Sequence, residues 1–185
     1  HRTHMGDDQD ASHILTAAMR TALADGWGGS MWATDISDIL FGVYSFDLND
    51  QAVIEERVVQ NSWMSRLSPL GLADIRVILC KEEPVMSMTR IPTKASSGKA
   101  NLHQGAMGIG IDLATGKSRD GVFRGLSCDI HPDTGHSTLG IAIPHWDRIL
   151  ELAIQCADTV GLGYLGADIV MDRDLGPLML ELNAR

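Results

Sequence analysis

Apolar positions recur along the chain with two periods, and the change of period separates helices from strands. Near the start, Ile14, Leu15, Ala18, Met19, Ala22 and Leu23 fall on one side of a helix. Ser12 or Asp10 can cap its start, and Gly26, Gly28 and Gly29 can end it. Ile36, Ile39, Leu40 and Val43 predict a second helix over residues 36–46, with Asp35 and Asp38 at its start. Alternation then takes over. Residues 52–59 read as a strand entering a linker, 74–79 as a strand, 81–84 as a turn and 85–90 as the returning strand. A polar, flexible-looking loop over 92–105 leads to extended structure at 109–111 and a turn at 114–117. Residues 118–143 show no clear period beyond a turn cluster, His131-Pro132-Asp133-Thr134-Gly135. Pro144 stands where a first helical residue belongs. Trp146, Ile149, Leu150, Ala153, Cys156 and Ala157 carry that helix to about residue 160, with Cys156 expected in its core.

The last segment reads as a hairpin, residues 164–171 and 177–183 around a turn at 172–176. Alternation puts Tyr164, Gly166, Asp168 and Val170 on one face, and Glu181 shares a face with Asn183. If Met171 faces Leu178, then Asp168 faces Glu181. Like charges so placed repel. A hard divalent cation such as magnesium would offset the cost through carboxylate and amide oxygens. Pairing with Arg173 or Arg185, or simple solvation of the acids, would do the same. These strands and the helix after Pro144 imply an α+β lobe, mainly antiparallel, with its helices on one side.

Composition narrows the setting. The chain has 185 residues, 44% of them hydrophobic, which suits one compact domain with a sizeable core. Fifteen Lys and Arg against 24 Asp and Glu give a net charge of -9, which argues against nucleic acid or an anionic membrane as partner. No apolar run is long enough to span a membrane. Cys80, Cys128 and Cys156 lack metal-ligand spacing, and their odd number points to a reducing, cytoplasmic compartment. Residues 1–5 read as a tag-like remnant and 6–34 as an N-terminal helical segment.

Four ordered blocks resemble a known family. They are Ile54-Glu55-Glu56-Arg57-Val58, Asp74-Ile75-Arg76-Val77, the run Lys99 Ala100 Asn101 Leu102 His103 Gln104 Gly105 Ala106, and the ending Gly166-Ala167-Asp168 with Glu181-Leu182-Asn183-Ala184-Arg185. Together they resemble the ATP-grasp core, in the alpha-L-glutamate ligase-like, or sugar-transfer-associated, branch. The likeness covers residues 35–185, read as the C-terminal lobe of a protein that continues beyond them. It implies ATP and Mg2+ as cofactors. By similarity, Asp168, Glu181 and Asn183 would hold the metal, and Glu55, Glu56 and Val58 would form the hinge for adenine and ribose. Arg76 and Arg90 would contact phosphate or acyl phosphate, with Asp74 orienting Arg76. Lys99, Asn101 and His103 would lie in the loop facing phosphates and substrate, and Arg185 near the acyl phosphate.

The resemblance implies a carboxylate–amine ligase that works through an acyl phosphate. Its partners would be ATP, a small-molecule or peptide carboxylate and an amino-acid amine, glutamate among them. No lysine precedes Lys81, so the phosphate-binding lysines of the other half of an ATP clamp have no counterpart here. Two alternatives stay open: a nucleotide- or partner-binding module without ligase activity, and a kinase-like transfer to a hydroxyl. A lobe cut from its neighbour should also expose Leu, Ile or Met and favour homo-oligomers.

Overall fold

The computed structural model describes residues 57–184. The helices expected over 14–23 and 36–46, most of the strand at 52–59, and Glu55, Glu56 and Arg185 lie outside the described residues.

A short helix, α1 (Ser62–Leu67), opens this part; the Asn61 side chain caps it by accepting from the Met64 amide at 2.8 Å. Seven strands follow in one sheet: β1 (Asp74–Cys80), β2 (Glu83–Ile91), β3 (Met107–Ile111), β4 (Ser118–Phe123), β5 (Leu126–Ser127), β6 (Tyr164–Asp172) and β7 (Gly176–Ala184). Their spatial order is β5-β4-β3-β2-β1-β6-β7, and every neighbouring pair is antiparallel. Helix α2 (Trp146–Val160) packs across β1, β2, β6 and β7. The expected α+β architecture is therefore present, with its helix on one side of an antiparallel sheet.

Strand parity divides the sheet into two faces. On one lie Ile75, Val77 and Leu79 of β1 with Leu165, Ala167 and Ile169 of β6, all buried. Ile149, Ala153 and Ala157 of α2 close over them. The two alanines let the helix come near the sheet, and burial of a side chain such as Ile149 contributes about 1.5–3 kcal/mol. The other face carries Asp74, Arg76, Arg90, Asp168, Glu181 and Asn183.

Some details differ from the sequence reading. Cys156 is half-buried and is not among the core residues of α2, which are Trp146, Ile149, Ala153 and Ala157. The helix begins at Trp146 rather than Pro144 because His145 turns into the left-handed region at φ 57°. The 92–105 loop, flexible-looking in sequence, is closely hydrogen-bonded: Thr93 and Ser96 are buried and exchange bonds, and Thr93 Oγ1 donates to the Gly105 carbonyl at 2.7 Å. Gly71 lies so close that an added Cβ would stand 2.2 Å from the Gly98 carbonyl oxygen. Within the aperiodic stretch, β4 and β5 are joined by Arg124 and Gly125, both at positive φ. Lys81 and Glu82 join β1 to β2 in the same way, as a two-residue hairpin turn of type I′ requires.

Candidate functional site

The polar face is organised by four charges in a row. Asp74 stands opposite Arg90 across β1 and β2, and Arg76 stands opposite Asp168 across β1 and β6. Arg90 grips Asp74 with two bonds, Nε to Oδ1 at 2.7 Å and a guanidinium NH2 to Oδ2 at 2.5 Å. The same NH2 reaches Asp168 Oδ2 at 2.9 Å. Arg76 grips Asp168 likewise, Nε to Oδ1 at 2.6 Å and NH2 to Oδ2 at 2.5 Å. Paired forks of this kind are the strong form of ion pair. Asp168 is fully buried, while the arginine side chains keep 18% and 14% exposure, so the guanidinium groups form the solvent side of the row.

Burial pushes the Asp168 carboxyl up, but the Arg76 hydrogen bond and the charges of both arginines outweigh it and hold the pKa below its ordinary value. For Asp74, burial dominates and raises the pKa despite Arg90. Burial lowers Arg90, but its bonds to Asp74 more than offset that, so the guanidinium stays charged.

The β6–β7 hairpin supplies the rest. Its closing pairs are Asp172 with Gly176 and Met171 with Pro177, one residue out of step with the expected facing of Met171 and Leu178. Leu180 is an extra residue that bulges from β7, and it returns Glu181 to its place opposite Asp168. Met179 and Leu182, three apart, consequently both pack on the core, and Glu181 and Asn183 face the arginines. Asn183 Nδ2 donates to Asp168 Oδ2 at 3.0 Å and to Glu181 Oε1 at 3.1 Å, so three oxygen-bearing side chains converge at one point.

Repulsion between Asp168 and Glu181 is thus relieved by Arg76, Arg90 and the Asn183 amide. Arg173, one candidate for this task, pairs with Asp174 instead. Asp74, expected to orient Arg76, holds Arg90, because its cross-strand neighbour is nearer than the residue two places along its own strand. Among the described residues, no three His, Cys, Asp or Glu side chains are grouped to hold a metal. The convergent set has two carboxylates and one amide. By donor type it fits a hard cation, with the Asn183 amide turned to offer its oxygen.

Leu102 brings the loop that carries Lys99, Asn101 and His103 to this face. Gly108 sits opposite Arg90, and an added Cβ there would lie 3.1 Å from Leu102 Cδ2. The single turn Leu102–Gln104 therefore rests on the polar face beside Arg90. Asn101 is exposed and its Oδ1 accepts from the His103 amide at 3.0 Å; Lys99 and His103 are exposed on the same loop. Val58 is half-buried and precedes Val59, whose amide donates to Asp172 at the hairpin tip, about 13 Å along β6 from Asp168.

Two residues that carried no assignment in the sequence also act on the loop. Asp133 Oδ2 accepts from the Lys94 amide at 2.9 Å and ties the His131 turn to the start of the loop. His131 is fully buried, and its Nδ1 accepts from the amides of Asp133 and Thr134. The turn signal marked their place, but the bond to Lys94 spans 39 residues and has no sequence signature.

A family model described as "Sugar-transfer associated ATP-grasp" matches residues 17–185. The chain belongs to that family. Two curated relatives share a short stretch with this chain. They are carbon monoxide dehydrogenase 1 of Methanosarcina mazei and of Methanosarcina acetivorans, each 67% identical over 42 residues. That stretch is 23% of this chain and 7% of each relative's length. A match of this extent carries no activity from them to this ATP-grasp chain. Among the described residues, no helix is long and apolar enough to cross a membrane.

Proposed function

We propose that this chain is the C-terminal lobe of an ATP-dependent carboxylate–amine ligase. One observation carries the reading: Asp168, Glu181 and Asn183 converge beside Arg76 and Arg90 on one face of a sheet whose other face is core. Asp168, Glu181 and Asn183 would hold magnesium, which supplies charge neutralisation at the phosphates when bound. Glu55, Glu56 and Val58 would hold adenine and ribose.

The chemistry falls in two steps. A carboxylate oxygen of the substrate attacks the γ-phosphorus of ATP, the bond to the β-γ bridging oxygen breaks, and ADP and an acyl phosphate result. An amine, for which glutamate is a candidate, then attacks the acyl carbon; phosphate leaves and the nitrogen loses a proton. Arg76 and Arg90 face the charge that develops on the transferring group. Lys99, Asn101 and His103, with Arg185, would position the phosphate and the carboxylate. Cytoplasmic location and homo-oligomerisation belong to this proposal as well.

A second reading, binding without ligation, is favoured by one feature. Both oxygens of Asp168 are already engaged by Arg76, Arg90 and Asn183. Isothermal titration with ADP and Mg2+ tests for the site, using Glu181→Gln as control because Glu181 is exposed and its loss should leave the fold intact. Magnesium-dependent binding that is lost in the variant supports the site. ADP release that requires both a carboxylate and an amine separates ligation from simple binding. A folded chain that shows neither would sink the ligase reading.

A further inference from the structure

We infer, resting on the ligase reading proposed above, that the carboxylate substrate carries an apolar, aromatic body, and that Ile78, Met86 and Met88 form the floor on which that body lies.

The open face of the sheet changes character along its strands. One row, Met88, Arg76, Asp168 and Glu181, crosses β2, β1, β6 and β7. Two residues nearer the Cys80 end of β1, about 7 Å away, the next row on that face is Met86, Ile78, Gly166 and Asn183. Beyond it stand Glu83, Cys80 and Tyr164. Charge gives way to apolar side chains on this side of Arg76. On the other side lie the Asp74–Arg90 pair and then the hairpin tip, where Asp172 accepts from the Val59 amide. Ile78 and Met88 are half-buried, and Met86 keeps 49% exposure. Gly166 keeps the floor low, since an added Cβ there would lie 3.4 Å from Ile78 Cδ1 and 3.7 Å from Arg76 Nε. A lone exposed apolar residue needs no explanation, but three side by side, next to two guanidinium groups, mark a place for a ligand.

Phosphoryl transfer fixes which ligand arrives here. The attacking and leaving oxygens stand on opposite sides of the γ-phosphorus, roughly in line. With adenine and ribose toward Val58 and the hairpin tip, ADP leaves on that side. The attacking carboxylate comes from the side of Ile78, and its body extends over Ile78, Met86 and Met88. Donors for its head are in place. Arg76 and Arg90 each spend Nε and one terminal nitrogen on aspartates, and among the described residues the other terminal nitrogen, Nη1, has no partner in either. Methionine thioethers make favourable contacts with an aromatic ring. Glu83, exposed and opposite Cys80, sets a negative charge at the far end, which disfavours a second carboxylate on the body.

The test uses the full 185-residue chain with 13C-methyl methionine, and Met86→Leu and Met88→Leu assign the two signals. In the presence of ADP and Mg2+, 3-phenylpropionate is titrated and followed by methyl NMR. Saturable shifts of the Met86 and Met88 methyl groups are expected, with the core residues Met64, Met107 and Met171 unmoved. The uncharged 3-phenylpropanamide should bind roughly tenfold more weakly, for want of the charge that the arginines recognise. Glutarate, with two carboxylates and no ring, should leave both signals in place. Met86→Gln, a change at an exposed position, should weaken 3-phenylpropionate roughly fivefold, with circular dichroism as the check that it folds.

Magnesium-dependent ADP binding with no shift at either methionine would overturn the inference and leave the ligase reading standing. Equal affinity for the acid and its amide, or tighter binding of glutarate, would do the same. A folded chain that binds neither ADP nor 3-phenylpropionate would refute both readings together.

Discussion

Asp168 shows how far one residue's role is set by its neighbours. Its position opposite Glu181 is set by the bulge at Leu180, and that position creates the repulsion to be relieved. The relief itself comes from Arg76 and Arg90, which lie 92 and 78 residues away in sequence. No local pattern links them, so the identity of the partners was not legible. Asp168→Ala takes from the partly buried Arg76 guanidinium the anion that it grips and leaves Arg90 with Asp74 alone. The expected loss is about 3 kcal/mol of stability, measured by urea denaturation. Glu181→Gln should cost less than about 0.5 kcal/mol, since Glu181 is exposed.

Asp172 gives a residue-scale prediction with a pH signature. Its carboxylate accepts from the amides of Asp174 and Leu175 at the hairpin tip and from Val59 at 3.0 Å. The Asp174 and Leu175 bonds hold its pKa below the ordinary value. A lowered folded-state pKa contributes stability above the unfolded value, about 3.9, and loses it as pH falls through the folded value. Denaturation of wild type and Asp172→Asn should therefore differ near neutral pH and converge in acid. Parallel curves throughout would show that the charge plays no part.

At the scale of elements, much of the plan was readable. The strands at 74–79, 85–90, 164–171 and 177–183 lie within the observed β1, β2, β6 and β7, and the helix ends at Val160 as its apolar spacing indicates. What escaped was tied to backbone geometry rather than to period. Helix α1 is a single six-residue segment, too short to repeat a pattern. The β4–β5 turn begins with Arg124 where Asn or Asp is the usual sign. The bulge at Leu180 inserts one residue into an alternating strand, so simple counting places Glu181 correctly only by taking the wrong closing pair.

Two predictions follow from these elements. Lys81 and Glu82 both hold positive φ without being glycine, so replacing them by Asn-Gly should stabilise the chain by about 1–2 kcal/mol in thermal or urea denaturation. Gly116 has φ 65°, and an added Cβ would lie 2.5 Å from the Trp146 ring. Gly116→Ala should therefore destabilise by about 1–3 kcal/mol and shift tryptophan fluorescence, as the ring that donates to the Leu113 carbonyl is displaced.

For the molecule as a whole, charge sets the terms on which a ligand arrives. The chain carries a net charge of -9; on the polar face two aspartates and two arginines cancel, and the exposed Glu181 is left over. Paired charges at such short range produce little field a Debye length away. The association rate of ADP with Mg2+ should therefore stay flat or rise as salt screens the net repulsion, as stopped-flow measurements can show. A steep fall with salt would indicate a basic cradle instead. Across a distance, this face offers a phosphate no attraction. Any preference of this face among charged ligands is therefore expressed at contact range, where the directions of the Arg76 and Arg90 donors count for more than net charge.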